Sequence, residues 1–91
     1  MQCLADCRQQ IDSIDDQIVD LLAKRYGVVR NVVEIKVENG LPARIPTRID
    51  EVIERVVHRA EGTSIPDGLA ARLYQEIIET ACRFEEKTLT K

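Results

Sequence analysis

Three cations of this chain, Arg8, Arg25 and Lys36, fall in one helical stripe with aliphatic residues, and that placement is what suggests chemistry. The stripe reads Arg8, Ile11, Asp15, Ile18, Leu22, Arg25, Val29, Val32 and Lys36, in steps of three and four that share one helix face. A face so rich in aliphatic residues belongs against a core, where Lys and Arg are seldom buried without a partner. A fourth cation, Arg48, sits just inside a second helical segment. Four positive groups around one cleft suit a compact dianion, with Arg making bidentate pairs to its carboxylates. No nucleophile–base pair, metal-ligand set or phosphate-cradling glycine loop accompanies them. Chemistry at such a site comes from orientation and fixed charge. The alternative is that these side chains snorkel, with Asp12, Asp15, Asp16 and Asp20 as ordinary surface partners.

At about 1.5 Å rise per residue, Arg8 and Arg25 lie ~26 Å apart along a helix, and Arg25 and Lys36 ~16 Å. Long side chains lean together around a small ligand across the second gap but not the first. No Pro or Gly pair marks a sharp bend before Gly40, although Gly27 slightly weakens the middle. A site shared by Arg8 and Arg25 is therefore expected to draw on two chains.

The elements that must position these groups are helices. The first is predicted from about Leu4–Asp6 to Glu38, with a second apolar ridge of Ile14, Leu21, Val28 and Ile35 at seven-residue steps. Asn39-Gly40 stops it, and Pro42 and Pro46 keep the short Arg44-bearing loop out of helix. Thr47-Arg48-Ile49-Asp50 reads as a capping box opening a second helix, which Gly62 ends. Ser64-Ile65-Pro66-Asp67 repeats the pattern with Pro66 in the first turn of a third helix running to about Glu86. The expected fold class is all-α: three helices, long, short and medium, in one domain spanning 1–91.

In a 91-residue chain, a helix of more than 30 residues cannot cover its own apolar face, so self-association into an intertwined homodimer is expected. A net charge of −3 with mixed signs gives no basic face for nucleic acid, and two Tyr, one Phe and no Trp leave little for stacking on bases. No apolar run is long enough to span a membrane, and the acidic N-terminal segment is no signal peptide. Three cysteines, Cys3, Cys7 and Cys82, form no even disulfide set and point to a reducing cytoplasm. With His58 as the one histidine, neither a zinc site nor a Cys–His dyad is expected, and no cofactor is implied.

Four segments together resemble the all-helical chorismate mutases. They are Arg8-x-x-Ile-Asp12-x-Ile14-Asp15, Leu21-Leu22-x-x-Arg25, Val32-x-x-x-Lys36, and Arg48-x-x-x-Val52-Ile53-x-Arg55, with Leu73-Tyr74-x-x-Ile77-Ile78 and an acid at Glu85 closing the pattern. The resemblance covers nearly the whole chain and keeps the twelve-residue step from Lys36 to Arg48. It implies an intertwined dimer with two shared sites, the Arg8 position reaching over from the partner chain. By the same resemblance, Arg8 and Arg25 bind the substrate's carboxylates, Lys36 donates to the breaking ether oxygen, Arg48 lies at the cleft mouth, and Glu85 supplies a second donor. The implied reaction is the cofactor-free [3,3] rearrangement of chorismate to prephenate, in aromatic amino acid biosynthesis.

Three positions depart from that pattern. Ile49 stands where many mutases place an acid on the C4 hydroxyl, Ile45 where an acid is frequent, and Ala81 where Ser is frequent. The C4 end of the pocket is thus expected to be apolar, with another residue, the backbone or water receiving the hydroxyl. Alternatively the substrate differs: isochorismate-pyruvate lyases share the fold and carry a segment similar to Ile45-Pro46. A mutase of the 4-amino analogue fits less well, because its ammonium lacks the acid. A non-enzymatic helical dimerisation module is the remaining reading.

Overall fold

The structure, a computed structural model, describes residues 3–89. The outermost positions of the expected 1–91 domain lie outside the described residues. Three helices carry the described chain: α1 (Leu4–Asn39), α2 (Pro46–Ala60) and α3 (Leu69–Leu89). The all-α class and the long–short–medium order are as the periodicity predicts.

The end of α1 is set by Gly40, whose φ of 63° lies in the left-handed region that glycine enters at no steric cost. Its N–H donates to the Val37 carbonyl (3.4 Å), and the Leu41 N–H donates to that of Lys36 (2.9 Å). These two bonds form a Schellman cap, which satisfies carbonyls the helix leaves open and reverses the chain just beyond Lys36.

Both predicted capping boxes are corrected. Helix α2 opens two residues earlier than the capping box predicts, at Pro46, and Thr47 lies inside it. Its N-cap is Ile45 (φ −122°, ψ 97°), with no side-chain cap bond. The physical reason is Pro46: proline drives the residue before it out of helical geometry, while its own φ suits the first helical position. Likewise Pro66 lies in a turn before α3 rather than in its first turn. Gly68 (φ 83°) stands between them, and its carbonyl accepts the first helical bond, from the Arg72 N–H.

The chain divides into two compact units within α1, one ending at Asn31 and the other beginning at Val32. From Leu4 onward the first is helix alone. Its Ile11, Ile14, Ile18, Leu21 and Val28 are 50–63% exposed in the single chain, so both apolar ridges face solvent there. In the second unit α2 packs on α3. Its buried hydrophobic residues are Val33, Ala43, Ile78, Ala81 and Cys82, and Glu85 is the one charged residue buried with them among the described residues.

Candidate active site

Lys36 sits in the last turn of α1, where the Schellman cap turns the loop back across it. Its Nζ donates to the Ala43 carbonyl (2.7 Å) and to Glu85 Oε1 on α3 (3.2 Å). Both side chains are nearly enclosed, 12% and 7% exposed, so the pair is a buried salt bridge between residues 49 apart in sequence. Its low-dielectric surroundings raise the stakes of every hydrogen bond it makes. An ammonium has three N–H donors. Among the described residues two of them are engaged, one on Ala43 and one on Glu85.

Ala81 is buried one helical turn before Glu85 and on the same face of α3. Ile45 and Ile49, at the start of α2, are half-buried. Cys82, next to Ala81 in the chain, is also buried, and burial pushes its thiol up from the ordinary range.

The other candidate residues are placed differently. Arg48 is exposed on α2 and pairs with Glu51 on its own helix (3.3 Å). Arg8 is exposed on the first part of α1, and Arg25 is half-buried there with Nη1 fully out of solvent. Both belong to the first unit, whereas Lys36, Arg48, Ile49, Ala81 and Glu85 belong to the second. Of the residues singled out by sequence, the structure brings Lys36 and Glu85 into direct contact.

Sequence reasoning missed Arg44. Its guanidinium donates to both oxygens of Glu79 (2.6 and 2.8 Å) and to both oxygens of Glu86 (3.0 and 3.1 Å). Arg83 also donates to Glu79 (3.1 Å). Held by Arg44 above all, the Glu79 carboxyl is brought down to about 2, and the Arg44 guanidinium is pushed further up by the same bonds. A signal existed: Glu79 and Glu86 stand seven residues apart, on one face of α3, with a lone cation in the loop between α1 and α2.

Among the described residues no three His, Cys, Asp or Glu side chains converge as a metal-ligand set, and no helix is long and apolar enough to cross a membrane. A recess of about 200 Å³ between the end of α2 and the start of α3 is lined by residues such as Val57, Ala60, Ile65 and Ala71, and by none of the candidate residues.

Residues 7–86 match the family model described as chorismate mutase type II. A chorismate mutase of Methanocaldococcus jannaschii is 30% identical over 76 residues, which are 84% of this chain and 77% of that protein. A bifunctional chorismate mutase/prephenate dehydratase of Buchnera aphidicola subsp. Schizaphis graminum is 34% identical over 88 residues, 97% of this chain and 23% of that protein. A T-protein of Enterobacter agglomerans is 35% identical over 75 residues, 82% of this chain and 20% of that protein. The chain belongs to the type II chorismate mutase family. It spans 23% and 25% of the length of two of the bifunctional relatives it matches. No solved structure matches it.

Proposed function

We propose that this chain is a chorismate mutase that acts as a homodimer, rearranging chorismate to prephenate without cofactor. The observation that carries the reading is the buried Lys36–Glu85 pair, set in a chain that the family model matches over residues 7–86. As the ether C–O bond breaks, its oxygen gains negative charge, and donors fixed in place beforehand stabilise that charge without reorganising. The Lys36 ammonium is one such donor. Arg8 and Arg25 hold the two carboxylates, Arg8 from the partner chain, and Arg48 closes the cleft mouth. The apolar ridges left exposed on α1 are the surface a second copy covers. A cytoplasmic setting goes with this reading and with three cysteines that form no disulfide.

Ala81, Ile45 and Ile49 favour a second reading, an isochorismate-pyruvate lyase, because together they offer no charged partner to a C4 hydroxyl. Purified protein given chorismate and, separately, isochorismate decides between them. Prephenate from chorismate is the expected result. Salicylate with pyruvate from isochorismate, and no prephenate, establishes the lyase, and no product from either leaves a dimerisation module.

Glu85 makes a sharper prediction. An ionised carboxylate only accepts hydrogen bonds, so Glu85 can donate to the ether oxygen only when it carries a proton. Oε1 accepts from Lys36, which leaves Oε2 to hold that proton. Glu85→Gln supplies a permanent N–H donor of similar shape and is expected to hold or raise kcat/KM at pH 7 to 8, whereas Glu85→Ala, which supplies no donor, is expected to lose it. Equal kcat/KM in the Gln and Ala variants rules out contact between Glu85 and the ether oxygen.

A further inference from the structure

Arg44 stands outside the chemistry just described, yet it makes the densest set of polar contacts in the second unit. It uses four of the five N–H donors of its guanidinium, two on Glu79 and two on Glu86. Isolated surface ion pairs stabilise little, because two long side chains must be ordered and water screens the charges. Two bidentate pairs sharing one planar guanidinium are different. The fork geometry fixes direction as well as distance, and both acids sit on the same rigid helix.

What this grip transmits is set by covalent geometry. The carbonyl of Ala43 and the nitrogen and Cα of Arg44 belong to one planar peptide unit. Anchoring Arg44 to α3 therefore fixes where the Ala43 oxygen points, and that oxygen is the 2.7 Å acceptor of Lys36 Nζ. Ala43 itself is buried, 8% exposed, so the loop has no slack on that side. Upstream the Schellman cap at Gly40 fixes the chain, and downstream the extended Ile45 before Pro46 fixes it again. Arg44 is the one side chain between these points that ties the loop to α3 by charge.

We propose that Arg44 is a positioning residue for Lys36: by pinning the loop to Glu79 and Glu86 it holds the Ala43 carbonyl against the ammonium and keeps Lys36 aimed beside Glu85. The proposal rests on Lys36 as the donor to the reacting ether oxygen for its kinetic consequence, but not for its structural one. Misplacing a catalytic group by about 1 Å costs up to ~10²-fold in rate.

The test uses the full chain with Arg44→Ala, Arg44→Lys, Glu79→Gln and Lys36→Met, singly and as Arg44→Ala/Lys36→Met. Steady-state kinetics on chorismate are measured beside NMR of the Lys36 ε-methylene in labelled protein. Arg44→Ala is expected to lower kcat about 10- to 100-fold with little change in KM, and Arg44→Lys and Glu79→Gln to fall between it and wild type. In the Lys36→Met background Arg44→Ala should cost nothing more in kcat. An equal loss in both backgrounds means a general structural role and overturns the proposal. In the NMR arm the two ε-protons of Lys36, distinct when the ammonium is held, should merge in Arg44→Ala. Unchanged, distinct signals overturn the proposal whatever the rates show. If Arg44→Ala does not fold, Arg44→Lys and Glu79→Gln give the same readings at smaller amplitude. If Lys36→Met turns over as wild type, the mutase reading of Lys36 fails, and the NMR arm still decides the role of Arg44.

Discussion

Lys36→Met is expected to lower kcat by about 10²- to 10³-fold, the usual cost of removing one fixed donor from a developing oxyanion. Methionine keeps most of the apolar stem and removes the charge, so substrate pocket shape changes little. The loss should appear in kcat and kcat/KM alike, because the ether oxygen becomes a strong acceptor only in the transition state. The same substitution strands Glu85, which is 6% exposed and loses its cationic partner. Breaking a buried pair from one side costs about 3–5 kcal/mol, whereas replacing both members by apolar residues is often neutral. Lys36→Met/Glu85→Leu should therefore regain the thermal stability that Lys36→Met loses, while remaining inactive. Urea unfolding and a chorismate depletion assay on the same samples separate the two effects. An active Lys36→Met protein, or a double variant that regains activity with its stability, contradicts the assigned role.

Arg8→Ala and Arg25→Ala are each expected to lose about 10²- to 10⁴-fold in kcat/KM, since each removes two charge-assisted hydrogen bonds of about 1.5–3 kcal/mol apiece. Mixed dimers make the stronger test. If each site takes Arg8 from one chain and Arg25 from the other, a dimer of one Arg8→Ala chain and one Arg25→Ala chain has one doubly defective site and one intact site. Equal amounts refolded together give about half mixed dimers, and so about a quarter of wild-type activity. If both residues served one site within a chain, every site in the mixture would be defective and no activity would return. Verified mixed dimers without recovery rule out the two-chain arrangement.

The helices were legible because their signals are local. The three- and four-residue apolar steps of α1 and the Asn39-Gly40 stop predict its span to within two residues of Leu4–Asn39. The capping boxes misled because two local rules competed at each. At Thr47 the backbone restriction imposed by Pro46 outweighed a side-chain cap, and before α3 the positive φ of Gly68 displaced the start beyond Pro66. The Lys36–Glu85 pair carries no sequence spacing that would announce it, because its partners are joined through packing rather than through one helix. Only the likeness to a family put the two residues in one site. Arg44 was passed over for the opposite reason. A single cation in a short loop looks like a solvated charge until the seven-residue spacing of Glu79 and Glu86 is set against it.

The Schellman cap at Gly40 also bears on the order in which the site is assembled. It reverses the chain so soon that the Lys36–Ala43 bond spans seven residues, against 49 for Lys36–Glu85. Closing a chain segment costs entropy as the logarithm of its length, so the longer closure costs about 1.7 kcal/mol more. Loops of about ten residues close in roughly 10–100 ns, far faster than helices find each other across a domain. Closure entropy thus favours the Lys36–Ala43 contact first, and the arrival of α3 then fixes it in place, through Arg44 on Glu79 and Glu86, beside Glu85.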